Sequence, residues 1–180
     1  METSLIICGS GGQGILLAGT LLAYAGLKEG KYVTFLPSYG AEKRGGLSYC
    51  AVVISDVEIS SPVVGYPMTI IALDNIGIDT YEDTLAKNGL IILNSSLIKR
   101  EIKRKDAKVI KLDFNDIAKE MGNPRVLNMI ALGVYIAQKK VLKLDSLISS
   151  LEKVISKRHL DMLEDNKKAL EKGVMLCQYQ

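Results

Sequence analysis

A glycine cluster near the N-terminus constrains this chain more than any other feature. Gly9-Ser10-Gly11-Gly12-Gln13-Gly14 follows the apolar run Leu5–Cys8 and precedes the apolar stretch Ile15–Leu27. This order predicts a strand, a tight loop and the start of a helix. Glycines leave no Cβ between the loop and a ligand, and the first turn of a helix presents unpaired N–H groups. The loop is therefore a candidate anion site, and a phosphate or pyrophosphate is its usual ligand.

The composition is that of an ordinary globular protein. The 180 residues are 48% hydrophobic and 24% charged, and the formal net charge is +3, which is typical of a single domain with a substantial core. The small net charge and the lack of a basic stripe argue against a dedicated nucleic-acid binder. No apolar run reaches the ~18 residues that span a bilayer, and the N-terminus lacks the features of a signal peptide. We therefore expect a cytoplasmic protein.

The cysteine and histidine content argues against a metal centre. Cys8, Cys50 and Cys177 are far apart and form no C-x-x-C motif, which argues against an iron–sulfur cluster or a zinc site. Cys8 and Cys50 lie inside apolar runs, so we expect both to be buried. The single histidine, His159, stands in a charged stretch and is expected at the surface. No Ser/His/Asp set or carboxylate pair is evident, so neither a catalytic nor a metal-binding residue is predicted.

Short apolar runs and helical patterns alternate along the chain. Continuous apolar runs of this length are typical of strands that are buried on both faces. The expected fold class is α/β, with a Rossmann-like, mainly parallel sheet flanked by helices. We expect one domain over residues 1–180, in which about 144–180 form a helical C-terminal extension. Strands are predicted at Leu5–Cys8, Tyr32–Leu36, Leu47–Ile54, Met68–Leu73, Leu90–Leu93 and Lys108–Leu112. Helices are predicted at Gly14–Gly30, Ile76–Lys87, Ile117–Met121 and Val126–Lys139, and two more between Leu144 and Met175.

A second glycine-bearing loop, Pro37–Gly46, joins the second and third predicted strands. The link contains no helix, which suits an antiparallel pair of strands. Lys43 and Arg44 offer positive charge for a phosphate or carboxylate. Gly45-Gly46 permit close approach of a ligand, and Tyr39 is able to stack on a ring. Because the carboxyl ends of strands one and two lie at the same edge, where ligands bind in open α/β sheets, we expect the two loops side by side. A solvated surface loop is the alternative interpretation.

More than one ligand class fits the first loop. Gly9, Gly11 and Gly14 match the G-x-G-x-x-G fingerprint of NAD(P)- and flavin-binding domains. Such a domain also places an acid at the end of its second strand, where this chain has Phe35-Leu36-Pro37-Ser38. Another phosphate-bearing ligand, or a tight turn without any ligand, stays open. The candidate binding residues are Gly9, Gly11, Gly12, Gln13, Gly14, Tyr39, Lys43, Arg44, Gly45 and Gly46.

Four other polar features favour structural interpretations. Asp74 follows the fourth strand and Asn94-Ser95-Ser96 follows the fifth, and we expect both to be helix caps. Asn128 is expected to be buried and to tie its helix to a loop. The cationic run Lys99–Lys105 is interpreted as a solvated helix face.

With both loops considered, the chain resembles the gamma subunit of 2-oxoacid:ferredoxin oxidoreductases. The resemblance rests on Gly9–Gly14, on Leu36–Gly46 and on Asn128–Gly133, whose order and spacing fit. It covers nearly the whole chain. Its most specific part is the Pro-x-Tyr-Gly-x-Glu-x-Arg-Gly-Gly pattern that ends at Gly46.

The resemblance implies a subunit of a complex that decarboxylates a 2-oxoacid, passes the electrons to ferredoxin and releases an acyl-CoA. It implies thiamine diphosphate and iron–sulfur clusters on the alpha, beta and delta (ferredoxin-like) subunits, and a shared role for this chain in holding coenzyme A. Overall resemblance slightly favours 2-oxoglutarate as the substrate, and the isolated chain is expected to self-associate. A stand-alone NAD(P)- or flavin-binding oxidoreductase and a purely structural interface subunit are the alternatives.

Overall fold

The computed structural model describes residues 2–39 and 46–177. A six-stranded sheet with the order β2-β3-β1-β4-β5-β6 forms its centre. β1, β4, β5 and β6 pair in parallel, whereas β3 is antiparallel to both β1 and β2. The predicted α/β class and the antiparallel second and third strands are confirmed. The strands are β1 (Glu2–Ser10), β2 (Tyr32–Tyr39), β3 (Leu47–Ser55), β4 (Thr69–Ala72), β5 (Leu90–Asn94) and β6 (Lys108–Leu112).

Seven α-helices are present in the described ranges. They are α1 (Ile15–Lys28), α2 (Asn75–Tyr81), α3 (Phe114–Glu120), α4 (Leu127–Lys139), α5 (Leu144–Ile148), α6 (Leu151–Val154) and α7 (Leu163–Cys177). Short 3₁₀ helices lie at Glu82–Thr84, Pro124–Val126 and Lys157–Met162. None of these helices is both long and apolar enough to cross a membrane.

The C-terminal part departs from the predicted pair of long helices. The first of them is broken into α5 and α6 at Ser149 and Ser150. Ser149 Oγ donates to the carbonyl oxygen of Asp145 at 2.6 Å, and Ser150 Oγ donates to that of Ser146 at 2.7 Å. Serine hydroxyls that bond back to helix carbonyls compete with the helical backbone pattern. The expectation of two helices is therefore wrong, although the segment is helical as predicted.

Side chains of the sheet alternate between two cores, as the two-residue period of a strand requires. Leu5 and Ile7 of β1 belong to the larger core, which also contains residues of α1, α4 and α7. Ile6 and Cys8 face the smaller core on the other side of the sheet, together with Ile78 of α2. Helices α1 and α4 therefore lie on the same face of the sheet, so the start of α4 is able to reach the loop that precedes α1.

Candidate functional site

The loop after β1 combines packed glycines with open ones. Gly12 and Gly14 have positive φ angles of 98° and 72°, a conformation that favours glycine. A Cβ on Gly14 would lie 3.0 Å from Cγ of Asn128, so this glycine is also required for packing. A Cβ on Gly11 or Gly12 would have no described atom within 4 Å. Gly11 and Gly12 are exposed and, as far as the described residues go, form an open rim that a ligand is able to approach.

The start of α1 presents backbone amides that lack protein acceptors. Gly14 is the N-cap residue and provides no side-chain cap, and the first turn contains no acidic residue. Within residues 2–39 and 46–177, the N–H groups of Ile15, Leu16 and Leu17 have no hydrogen-bond acceptor. Free amides and the positive end of the helix dipole together make a helix start attractive to an anion.

Gln13, one of the predicted contact residues, shapes the loop from inside. Its Oε1 accepts a hydrogen bond from the backbone N–H of Ser10 at 2.9 Å, and its Nε2 donates to the carbonyl oxygen of Leu73 at 3.4 Å. The side chain thus ties the loop to the residue that follows β4. A direct contact between Gln13 and a ligand stays a prediction.

Asp74 joins the ends of two parallel strands. Its Oδ1 accepts from the backbone N–H of Gly77 at 3.2 Å, which confirms the predicted helix cap. Ser10 Oγ, at the end of β1, donates to Oδ2 of the same carboxylate. Both carboxylate oxygens are therefore engaged within the protein, and the carboxyl ends of β1 and β4 are held together.

Two buried asparagines lie at this edge of the sheet. Asn128 is 2% exposed, and its Nδ2 donates to the carbonyl oxygen of Gly14 at 2.9 Å, so the predicted tie between helix and loop is confirmed. Asn94, at the end of β5, donates from Nδ2 to the carbonyl oxygen of Leu73 at 2.8 Å. Among the described residues, the Oδ1 atoms of both asparagines have no hydrogen-bond partner. Buried polar atoms are nearly always satisfied, so a water molecule or a ligand atom is expected there.

The prediction that Asn94-Ser95-Ser96 caps a helix is wrong. The segment that follows is a turn, in which the backbone N–H of Ile98 donates to the carbonyl oxygen of Asn94 at 2.9 Å. The Nδ2 of Asn94 donates instead to the carbonyl oxygen of Leu73, just after β4, and to Oδ1 of Asn115 in α3 at 2.7 Å. No helix begins directly after Asn94, and its Oδ1, the atom that would accept at a cap, has no partner among the described residues.

The second loop ends beside the first one, as predicted. The backbone N–H of Gly11 donates to the carbonyl oxygen of Gly46 at 3.1 Å. Tyr39 pairs with Ser48, and Ser48 pairs with Gly9, so the Cα atoms of Tyr39 and Gly9 are about 10 Å apart at normal strand spacing. Lys43, Arg44 and Gly45 lie outside the described residues, and their contacts with a ligand stay predictions.

The thiols do not form a metal site. Cys8 and Cys50 are buried, as predicted, but they lie in different cores on opposite faces of the sheet. Burial raises the pKa of both thiols, that of Cys50 to about 12. In the part of the chain that the structure describes, no three His, Cys, Asp or Glu side chains are grouped so that they could hold a metal ion. His159 is exposed, as predicted.

The cationic run Lys99–Lys105 is not a helix face, so that prediction is wrong. The segment forms a loop around the buried carboxylate of Glu82. Arg100 Nη1 donates to Glu82 Oε2 at 2.7 Å, and the backbone N–H groups of Lys103 and Arg104 donate to Oε1. The run therefore supports the fold rather than a ligand site.

The fold and the site define a class of protein: an α/β domain with a glycine loop and an uncapped helix start at the carboxyl edge of its sheet. Residues 4–176 match the family described as pyruvate ferredoxin/flavodoxin oxidoreductase. The chain belongs to this family, which confirms the resemblance inferred from its two loops.

Relatives and a solved structure agree with this assignment. The chain is 34% identical over 160 residues to the 2-oxoglutarate synthase subunit KorC of Methanocaldococcus jannaschii, covering 86% of this chain and 82% of that one. It is 35% identical over 136 residues to the ketoisovalerate oxidoreductase subunit VorA of Methanothermobacter thermautotrophicus, but this match covers 76% of this chain and only 28% of VorA. The crystal structure of a keto/oxoacid ferredoxin oxidoreductase gamma subunit from Geobacter sulfurreducens superposes with a TM-score of 0.86 at 25% identity, covering 99% of this chain and 98% of that one.

Two residues of this site, Asn128 and Ser10, are not among the predicted binding residues. The sequence predicts Asn128 as a structural tie, yet its Oδ1, which has no partner among the described residues, lies next to the loop. An asparagine in an otherwise apolar helical stretch is the signal for Asn128, whereas nothing in the sequence pairs Ser10 with Asp74.

Proposed function

We propose that this chain is the gamma subunit of a multi-subunit 2-oxoacid:ferredoxin oxidoreductase and that its glycine loop helps to hold coenzyme A. Family membership supports the subunit assignment. The observation that carries the coenzyme A role is the uncapped start of α1 beside the open rim of Gly11 and Gly12. Coenzyme A has a pyrophosphate and a 3′-phosphate, and phosphate groups suit free amides at a helix start.

The residues present fit such a ligand. The amides of Ile15, Leu16 and Leu17 are donors for phosphate oxygens, and no carboxylate in the first turn opposes an anion. The free Oδ1 of Asn128 is an acceptor for a hydroxyl group or for a bridging water. In our proposal Lys43 and Arg44 supply the positive charge, because their loop returns to the sheet at Gly46, which contacts Gly11.

The chemistry of the reaction is assigned to other subunits in this proposal. Thiamine diphosphate and the iron–sulfur clusters belong to the alpha, beta and delta partners, and ferredoxin is reached through the complex. This chain contributes ligand binding and assembly. We propose that its residues 1–180 act as one gamma-type domain in the cytoplasm.

The test is a single methyl group placed on the rim. Gly11→Ala adds a Cβ that meets no described atom within 4 Å, at a residue without a positive φ, so the loop is expected to keep its shape. In the reconstituted complex, we expect this variant to raise the KM for coenzyme A several-fold and to leave the KM for the 2-oxoacid unchanged. Gly65→Ala, which also meets open space but lies in a different loop, is the matched control.

The charged loop provides a second test. Loss of a charged hydrogen bond costs about 1.5–3 kcal/mol, so Arg44→Ala and Lys43→Ala should weaken coenzyme A binding roughly 10- to 150-fold. If these variants and Gly11→Ala all keep the wild-type KM, the coenzyme A role is wrong, while the subunit assignment stands.

A stand-alone NAD(P)- or flavin-dependent oxidoreductase is less well supported. β2 contains no acidic residue that could bind a ribose. This alternative predicts tight nucleotide binding by the isolated chain, which absorbance spectra and thermal-shift screening would detect. A purely structural subunit predicts instead that loop variants lose partner subunits during purification while the KM for coenzyme A stays normal.

The identity of the 2-oxoacid stays a proposal. We expect 2-oxoglutarate, and KorC bears this name, whereas VorA is named for ketoisovalerate. Assays of the purified complex with pyruvate, 2-oxoglutarate and 2-oxoisovalerate would decide among them. Mass spectrometry of the proteins that co-purify with this chain would identify the partner subunits.

A further inference from the structure

The two edges of the sheet differ in charge. β6, at one edge, carries the exposed lysines Lys108 and Lys111, and charged side chains of this kind keep an edge strand from pairing with another chain. β2, at the other edge, has no charged residue from Tyr32 to Ser38. Among the described residues, β3 is the only strand that pairs with β2. The outer edge of β2 therefore has the features of a strand that pairs with another chain.

Helix α1 extends this uncharged edge above the sheet. Its one charged residue is Lys28, at its C-terminal end, and its Leu27 and Tyr24 are 60% and 44% exposed. Four of its residues recur at intervals of three or four, so they form one stripe along the helix. The members of this stripe are half-buried or exposed, and they are Leu16, Thr20, Ala23 and Leu27.

The stripe of α1 faces the outer edge of β2. The sheet lies beneath Gly19 and Gly26. Helices α4, α5 and α6 also contact α1, and the second buried flank of α1 contains Leu21 and Ala25. At 3.6 residues per turn, the stripe lies on the flank opposite Leu21 and Ala25. It therefore points away from the other helices.

The position of α1 suits a symmetric pair of sheets. A Cβ on Gly19 would touch both Phe35 of β2 and Cys50 of β3, so α1 lies above the gap between these strands. If β2 paired with the β2 of a second copy, the axis of α1 would lie about one strand spacing, ~4.8 Å, from the symmetry axis. The two α1 helices would then be about 10 Å apart, a distance at which helices pack.

We propose that β2 and α1 form an interface with a second copy of this chain, in which the two β2 strands pair antiparallel about a two-fold axis at Thr34. Such an axis stands perpendicular to the sheet, so one continuous sheet runs through both copies and the two α1 helices pack antiparallel on the same face. The two Lys28 side chains then lie at opposite ends of the helix pair, and no like charges meet.

Thr34 supports the second copy as the partner. It is the middle residue of Tyr32–Leu36 and is half-buried, and its Oγ1 is buried without a hydrogen-bond partner among the described residues. In the proposed pair, each Thr34 faces the Thr34 of the other copy, and threonines that face each other across two strands form hydrogen bonds. Rotation of the side chain about its Cα–Cβ bond therefore gives the hydroxyl a partner.

The expected interface is small. β2 and α1 together cover a face of about 25 Å by 20 Å, or roughly 500 Å² per copy. The total of about 1,000 Å² is at the lower limit of specific interfaces. We therefore expect a dimer that dissociates on dilution, which sedimentation of the purified full chain over a range of concentrations would measure.

Opposite charges at Thr34 test the pairing of the strands. Thr34→Lys and Thr34→Glu should each sediment as a monomer, because like charges then face each other across the axis. A mixture of the two variants should form dimers again, and this rescue would also show that both variants fold. Lys111→Glu changes the charge at an exposed position of the opposite edge strand and should dimerise as the wild type does.

Leu27→Glu tests the flank of α1 at a residue whose exposure makes the substitution compatible with the fold. It should weaken dimerisation at least tenfold, whereas Met175→Glu, at a residue of α7 that is 51% exposed, should not. The proposal is wrong if the wild-type chain is a monomer at every concentration, if Thr34→Lys and Leu27→Glu both dimerise like the wild type, or if the mixed Thr34 variants are folded by circular dichroism and stay monomeric. A monomeric wild-type chain together with loss of partner subunits from the Thr34→Lys complex would assign this edge to a partner subunit instead.

Discussion

Asn128 Nδ2 donates a hydrogen bond to the carbonyl oxygen of Gly14 at 2.9 Å, across 114 positions of sequence. This contact fixes the first turn of α4 against the loop that precedes α1. The Gly14 carbonyl also accepts from the backbone N–H of Ala18 at 3.1 Å, so it joins the loop, α1 and α4 at one point. The position of the free amides thus depends on a residue in the last third of the chain.

We expect Asn128→Ala to lower the free energy of unfolding by about 0.5–1.5 kcal/mol, the net contribution of one hydrogen bond. The loss is limited because Gly14 keeps its bond from Ala18. Urea denaturation would measure it. Asn75→Ala is the control, because Asn75 also donates to a backbone carbonyl, that of Leu97, but is exposed. Equal stability of the two variants would contradict the structural role of Asn128.

Two glycines of the same loop should respond differently to alanine. Gly14→Ala requires a positive φ and a clash with the Asn128 amide, so we expect a loss of more than about 1 kcal/mol. Gly11→Ala meets neither obstacle and should change the stability by less than about 0.5 kcal/mol. Thermal melting of the two purified variants is sufficient to compare them. A Gly11→Ala chain as unstable as Gly14→Ala would show that the rim is not open.

The strands could be predicted because each is a local apolar run, and the antiparallel β3 followed from its short link to β2. The glycine loop Gly9–Gly14 could be recognised as a candidate anion site for the same local reason, and anion binding there stays a prediction. The different roles of its glycines were not, because they depend on Asn128, which is distant in sequence. The conformation of Lys99–Lys105 was not predictable for the same reason. Its charges suggest a solvated helix, whereas in the structure the segment is a loop held by the buried carboxylate of Glu82, which is distant in sequence.

Alkaline pH should destabilise the protein partly through Cys50. Burial raises the pKa of its thiol from about 9 to about 12 in the folded state. Between these values the unfolded chain loses this proton while the folded chain keeps it. The contribution of the thiol to the free energy of unfolding is therefore fully present below pH 9 and is lost as the pH rises towards 12. Tyr135 acts in the same direction, because burial raises its pKa from 10 to about 12.

The contribution of the Cys50 thiol can be separated by substitution. In Cys50→Ala, the free energy of unfolding should fall less steeply with pH, by up to about 1.4 kcal/mol per pH unit for one proton. Denaturant unfolding at pH 7 sets the baseline difference between the two proteins. Curves that stay parallel from pH 9 to 11 would show that the buried thiol is not involved.

Arg100 bridges a buried and an exposed carboxylate, which allows the two kinds of ion pair to be compared on one guanidinium. Its Nη1 lies 2.7 Å from Oε2 of Glu82, whose side chain is 3% exposed, and its Nε lies 2.7 Å from Oδ1 of Asp79, whose side chain is 59% exposed. Removing one partner of a buried pair costs about 3–5 kcal/mol, whereas an exposed pair contributes about 0–1 kcal/mol. We therefore expect Glu82→Ala to destabilise the chain severely and Asp79→Ala only slightly, as measured by urea denaturation.

Glu82→Gln should recover part of the loss, since the amide oxygen still accepts from the N–H groups of Lys103 and Arg104. Similar losses in Glu82→Ala and Asp79→Ala would mean that the Lys99–Lys105 loop is not held by the buried carboxylate.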